Sequence, residues 1–285
     1  FQAEDGIRDL VRARGLGDVY KRQVLTVRLA FGIVIFSFLC SLFIAAIFSA
    51  LDPSALSGSN LGISSYIALF VAQIILVLPS ALFLFKNGLN LSDNFRLNKI
   101  SKETLFLSLI LSFGAVLLTS EINILIDFIF PIPESFLNLD SLLAPGNPLS
   151  LLLVILTVVF VAPIGEEMVF RGFLQRYLEK SWGDATRAIL VSSLFFALIH
   201  FNPYWAIQIY FMGLLLGYLS WLTKSIYPSI LMHMAINGTS MLFIFLGENA
   251  ENALLWKGHI NPLLLVLGAY TFWFSLKNMQ FAYRK

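Results

Sequence analysis

The chain has 285 residues, 58% of them hydrophobic and 13% charged, with a mean hydropathy of +0.81. Soluble domains average about 45–50% apolar and about 25% charged, so this balance excludes an ordinary water-soluble domain, and a net charge of +2 gives no sign of a nucleic-acid partner. The apolar residues fall into blocks of about 16–25, near the length a bilayer demands, which predicts an all-α, polytopic transmembrane helical bundle.

Residues 1–23 do not belong with the rest of the chain. Nine of them are charged, none is an initiator Met, and the boundary with the apolar body is abrupt. The string is similar to translated sequencing-adapter sequence and is expected to be non-native, leaving 24–285 as a single transmembrane domain. From Val24 onward the hydrophobic blocks predict about eight spans, at 25–50, 62–85, 104–129, 150–178, 187–202, 204–222, 227–246 and 261–278. The fifth is short for a full crossing. Prolines and Asn202-Pro203 mark the joints. Cys40, the lone cysteine, lies inside an apolar block and can form no internal disulfide.

Lys86, Arg96, Lys99, Lys102, Arg176, Lys180, Arg187, Lys224, Lys277, Arg284 and Lys285 follow even-numbered spans, whereas Lys257 alone follows an odd one. Eleven against one is a strong positive-inside bias, which puts both termini in the cytoplasm. Glu121, Asp127, Glu134 and Asp140 fall at or beyond the outer end of the third span and read as interfacial. Trp205, Trp221, Trp256 and Trp273 near span ends read as interface anchors.

The fourth span carries Pro163-Ile164-Gly165-Glu166-Glu167-Met168-Val169-Phe170-Arg171-Gly172. Two adjacent carboxylates inside lipid cost about 2.5–3.5 kcal/mol each on insertion scales, so they must face a partner or a wet cavity. In a helix Glu167 and Arg171 are one turn apart and can pair. Glu166 lies about 100° round the helix and is left over. The fifth span ends Phe196-Ala197-Leu198-Ile199-His200, and the seventh holds His233-Met234-Ala235-Ile236-Asn237; each pair four apart shares a helix face.

A single buried histidine is usually a hydrogen-bonded core residue. Three ionisable sites at one depth are a different matter. At ~1.5 Å per residue, Glu166 lies about 15 Å from Arg176, His233 about 14 Å from Lys224 and His200 about 20 Å from Arg187. The set supports hydrolysis: Glu166 as general base on water, shared with His200, and His233 with Asn237 as donors to an oxyanion. Arg171 would hold Glu167 ionised and fix the helix. The zinc-peptidase string HExxH is absent. Glu166, His200 and His233 can nevertheless supply three zinc ligands with an open fourth position, so both no cofactor and zinc stay open, with the metal-free chemistry preferred.

EEMVFRG resembles the EExxxR motif of the CAAX protease and bacteriocin-processing (CPBP, or Abi) family of intramembrane endopeptidases, FALIH its FxxxH motif and HMAIN its HxxxN motif. The three stand in the family's order, across about residues 150–246. The resemblance implies an activity like that of type II CAAX prenyl endopeptidases on a membrane-anchored peptide or protein. It implies that Glu166 and His200 activate water, that His233 and Asn237 form the oxyanion site, and that Glu167, Arg171 and Phe196 support them. The family is often labelled as metalloproteases, while its glutamate-dependent members imply no catalytic metal. A bacterial cell membrane is the expected location, with the lipid bilayer as a partner and no nucleic acid. Two other classes fit an intramembrane acid and two histidines: an ion-coupled transporter, and a non-catalytic immunity or scaffold protein using the same cavity.

Overall fold

A computed structural model describes residues 25–52, 61–131, 145, 147–247 and 252–283. Residues 1–24, Glu134 and Asp140 lie outside the described residues. All eight anticipated segments are helices: α1 Val27–Ala50, α2 Ile63–Lys86, α4 Lys102–Ile129, α5 Pro148–Trp182, α6 Ala185–Leu198, α7 Pro203–Thr223, α8 Tyr227–Leu246 and α9 Pro262–Tyr283. A one-turn helix, α3 (Leu91–Asn94), lies between α2 and α4. Among the described residues six helices are long and apolar enough to cross a membrane: α1, α2, α4, α5, α7 and α8. The segment at α6 has 14 residues, and α9 ends in polar residues (Lys277, Asn278, Gln280) that dilute its hydropathy.

The ends of the helices follow local chemistry. Thr26, Ser101, Asn147, Asp184 and Asn202 each accept a hydrogen bond from a backbone N–H of the first turn, filling donors that a helix start leaves open. Pro148, Pro203 and Pro228 occupy first-turn positions, where the missing N–H costs nothing. Gly183 closes α5 with a φ of 64°, a left-handed conformation that glycine adopts without strain. One small feature lies outside an all-helical reading: Leu255–Trp256 (β1) pairs antiparallel with His259–Ile260 (β2). Its two-residue turn, Lys257-Gly258, has φ of 53° and 84°, as a tight hairpin demands. Glu121 of α4 accepts hydrogen bonds from the His259 ring at 2.8 Å and the Ile260 N–H at 2.9 Å, tying the hairpin to the bundle.

α5 is the central element, touching α1, α2, α6, α7 and α8. It packs Val169, Phe170, Phe173, Leu174 and Leu178 into the main core, together with Leu76, Phe196, Leu216 and Met232 from its neighbours. The helix is not uniform. Leu156–Val161 and Met168–Gln175 are wound as π-helix, on either side of an α-helical turn at Ala162–Glu167 that carries the two acids. Pro163 gives the first π segment a physical reason. In that segment the Ala162 N–H bonds the Thr157 carbonyl, five residues back. The next donor in this register would be residue 163, and proline has no N–H. The carbonyl it would have served, Val158, accepts instead from the Asn237 amide on α8 at 2.9 Å. π-helical turns of this sort cluster at functional sites.

Candidate active site

The two acids of α5 have separate surroundings. The Glu167 side chain is fully buried and the Glu166 side chain is 13% exposed. Arg171 donates to Glu167 Oε1 at 2.7 Å, as spacing by one turn anticipates. The same guanidinium lies 4.1 Å above the Phe196 ring and reaches the Gly213 carbonyl of α7 at 3.5 Å. Arg171 is thereby held on three sides by a carboxylate, an aromatic face and a backbone oxygen. Glu166 forms no salt bridge with it. Its Oε2 instead stands 3.8 Å from Nε2 of His233.

His233 is buried on α8 and belongs to the acid cluster more closely than its spacing from Asn237 suggests. Its Nδ1 lies 3.0 Å from Glu167 Oε1, the same oxygen that Arg171 engages. A carboxylate can only accept, so Nδ1 carries a proton toward Glu167, and Nε2 faces Glu166. His200 sits in the turn just past α6, and its Nδ1 is 2.7 Å from the Phe196 carbonyl. The same logic leaves Nε2 of His200 as an acceptor. Phe196 lies between the two histidines: its ring centroid is 4.9 Å from that of His200 and 6.0 Å from that of His233.

Glu166, Glu167, Arg171, Phe196, His200 and His233 thus form one continuous group drawn from α5, α6 and α8. No hydrogen bond or ion pair links His200 to Glu166 among the described residues. Asn237 forms no hydrogen bond with either acid among the described residues, and one amide N–H is spent on Val158. Among the described residues no three ligand-type side chains stand close enough to hold one metal ion. The zinc set Glu166, His200 and His233 therefore does not fit an ion as arranged.

Sequence reasoning missed the polar stripe below the acids. Gln175 is fully buried and donates to the Gly217 carbonyl of α7 at 2.9 Å and to Glu179 Oε1 at 2.9 Å. Glu167, Arg171, Gln175 and Glu179 recur every four residues, and the carbonyls that meet Arg171 and Gln175 belong to Gly213 and Gly217. Both signals are in the sequence: a four-residue polar period on one helix, and a Gly-x-x-x-Gly on the other that lets backbones approach closely. Gly165 and Gly172 do the same on α5. A Cβ at Gly165 would lie 3.2 Å from the Gln73 carbonyl, and one at Gly172 only 2.6 Å from the Phe95 carbonyl.

Comparison with known proteins adds one finding to this geometry. Residues 148–239 match the family described as type II CAAX prenyl endopeptidase, Rce1-like. The match covers 92 of 285 residues, about a third of the chain, and runs from the start of α5 into α8. All three resembling motifs, EEMVFRG, FALIH and HMAIN, fall inside the Rce1-like region, and the family is the one those motifs resemble. No curated protein and no solved structure matches the chain. With its apolar helices, the chain is a multi-pass membrane protein, and the part from α5 into α8 is similar to type II CAAX prenyl endopeptidases.

Proposed function

We propose that this protein is an intramembrane endopeptidase that hydrolyses a peptide bond of a membrane-anchored peptide or protein, using water activated by Glu166 and His200. The observation that carries this reading is the unequal treatment of two adjacent acids: Glu167 is bound by Arg171 and His233, while among the described residues Glu166 has no cation other than His233 within 4 Å. A carboxylate kept free of a guanidinium is available to take a proton. Glu166 would accept the proton of a water whose other hydrogen His200 Nε2 accepts, and the water oxygen would attack the scissile carbonyl carbon. When the tetrahedral intermediate collapses, the carbon–nitrogen bond breaks and Glu166 returns its proton to the leaving amine.

His233 and Asn237 are assigned to the oxyanion. The roles follow from what their atoms have to spare. The Asn237 amide keeps one N–H after serving Val158. His233 can donate from Nε2 only as imidazolium, with Nδ1–H remaining on Glu167. Localisation in a bacterial cell membrane belongs to the same proposal, and the placing of both termini in the cytoplasm rests on the distribution of Lys and Arg.

The test is cleavage of membrane-anchored peptides by purified full-length protein. Glu166→Gln is expected to lower turnover by about 10²–10⁴-fold, the usual range for a general base, with an unchanged unfolding midpoint. Turnover within a factor of ten of wild type would end the assignment.

A further inference from the structure

Ten residues along α5 from Glu166, at the end of the bundle where the Lys and Arg side chains gather, Arg96, Asn98, Arg176, Glu179, Lys180 and Lys224 line a pocket of about 330 Å³. That volume lies within the range of small-ligand sites, about 300–1,000 Å³. The walls are tied together. The Ile226 N–H donates to the Arg96 carbonyl at 3.1 Å, the Ser225 hydroxyl to the Asn98 carbonyl at 2.7 Å, and the Asn98 amide to the Lys224 carbonyl at 2.5 Å. Arg96 and Lys224 both hold left-handed backbone, with φ of 55° and 54°, a conformation unfavourable outside glycine that surrounding structure must impose.

The charge in this pocket does not balance. Four of the lining side chains are cations and one is an acid. Glu179 is fully committed: Oε2 to Arg96, and Oε1 to Gln175 at 2.9 Å. Arg96 is buried and also reaches the Ser220 hydroxyl at 3.3 Å. Arg176, Lys180 and Lys224 form no salt bridge among the described residues. Asp93, exposed on α3, acts on Arg176 and Lys180 from a distance without pairing. Burial, joined by the charge of Arg96, pushes the Lys224 ammonium below its ordinary range against the pull of Glu179. Two tryptophans mark the depth. Arg187 lies 4.4 Å over the Trp182 ring and Lys224 5.0 Å over the Trp221 ring, the aromatic belt found at the level of lipid headgroups.

We propose that this pocket binds a phosphate-bearing anion, with Arg176, Lys180 and Lys224 as its donors and Arg96 as the fixed base of the site. Phosphate suits it because several oxygens can accept from several cations at once. At this depth the expected source is an anionic phospholipid headgroup, since basic pockets between membrane helices recognise such groups; free phosphate shares the chemistry. The site is independent of the proteolytic reading, and neither depends on the other.

The experiment is native mass spectrometry of the purified full chain with equal phosphatidylglycerol and phosphatidylcholine. Wild type is expected to retain phosphatidylglycerol in preference. Arg176→Gln with Lys180→Gln is expected to weaken that retention about 30-fold, about fivefold per cation removed, while Lys180→Arg keeps it. Inorganic phosphate added in excess separates the sources: displacement of the lipid identifies a general phosphate site, and persistence identifies a headgroup site. Should the double variant unfold, Lys180→Gln alone, at an exposed position, carries the test with about a fivefold loss. Equal retention of both lipids by wild type, or a preference unchanged in the variants, overturns the proposal. So does displacement by acetate but not by phosphate.

Discussion

Asn237 and Pro163 form a pair whose coupling can be measured. Asn237→Ala removes the donor that serves the Val158 carbonyl at 2.9 Å, in a segment where the helix offers no replacement because residue 163 is proline. Interhelical hydrogen bonds in membrane proteins average about 0.6 kcal/mol and reach about 1.7, and an unserved buried carbonyl adds to the loss. The expected cost is therefore about 1–2 kcal/mol. Pro163→Ala restores a backbone N–H in register with Val158, so in that background Asn237→Ala should cost less than about 0.5 kcal/mol. Unfolding of the four proteins in mixed detergent micelles gives the coupling energy directly. A value below about 0.3 kcal/mol, the limit for independent sites, would show that Asn237 does not repair the proline break. Peptide turnover separates the two roles of the amide: the double variant should recover stability without recovering cleavage if Asn237 also serves the oxyanion.

Arg171→Leu leaves Glu167 charged and buried, and should cost about 3–5 kcal/mol in the same unfolding assay; a cost under about 1 kcal/mol would contradict the buried pairing. Gly217→Ala places a methyl 2.7 Å from Gln175 Oε1, so it should push α5 and α7 apart and destabilise by about 1–3 kcal/mol, partly relieved by Gln175→Ala. Gly114→Ala meets the Gly268 carbonyl at 2.6 Å and the Phe272 nitrogen at 2.8 Å. It should loosen α9 from α4, read as faster proteolysis near residue 262 with peptide cleavage retained.

The sequence makes some of this plain and hides the rest for physical reasons. The Glu167–Arg171 pair was readable because one helical turn fixes it, and Glu166 stood out because the same geometry excludes it. The helical segments were readable because a bilayer sets their length. His233 on Glu167 joins residues 66 apart, and no local pattern encodes which imidazole nitrogen meets which carboxylate. The π-helical turns were hidden too: Pro163 signals a break, but the break is tolerated only because a donor arrives from α8. Arg96 reads in sequence as one more topology charge, yet it is 4% exposed and holds Glu179. Gly213 and Gly217 were visible as a spacing and became informative only beside Arg171 and Gln175.

The brevity of α6 has its own consequence. Its 14 residues reach about 21 Å, against about 30 Å of hydrocarbon. The chain then turns at residues 199–202, with Phe201 at a φ of 48°, before α7 begins. Lipid tails cannot solvate the carbonyls freed at such a turn, so this backbone must be covered by neighbouring helices or face water. Water admitted on that account would stand beside His200, where the proposed hydrolysis consumes it.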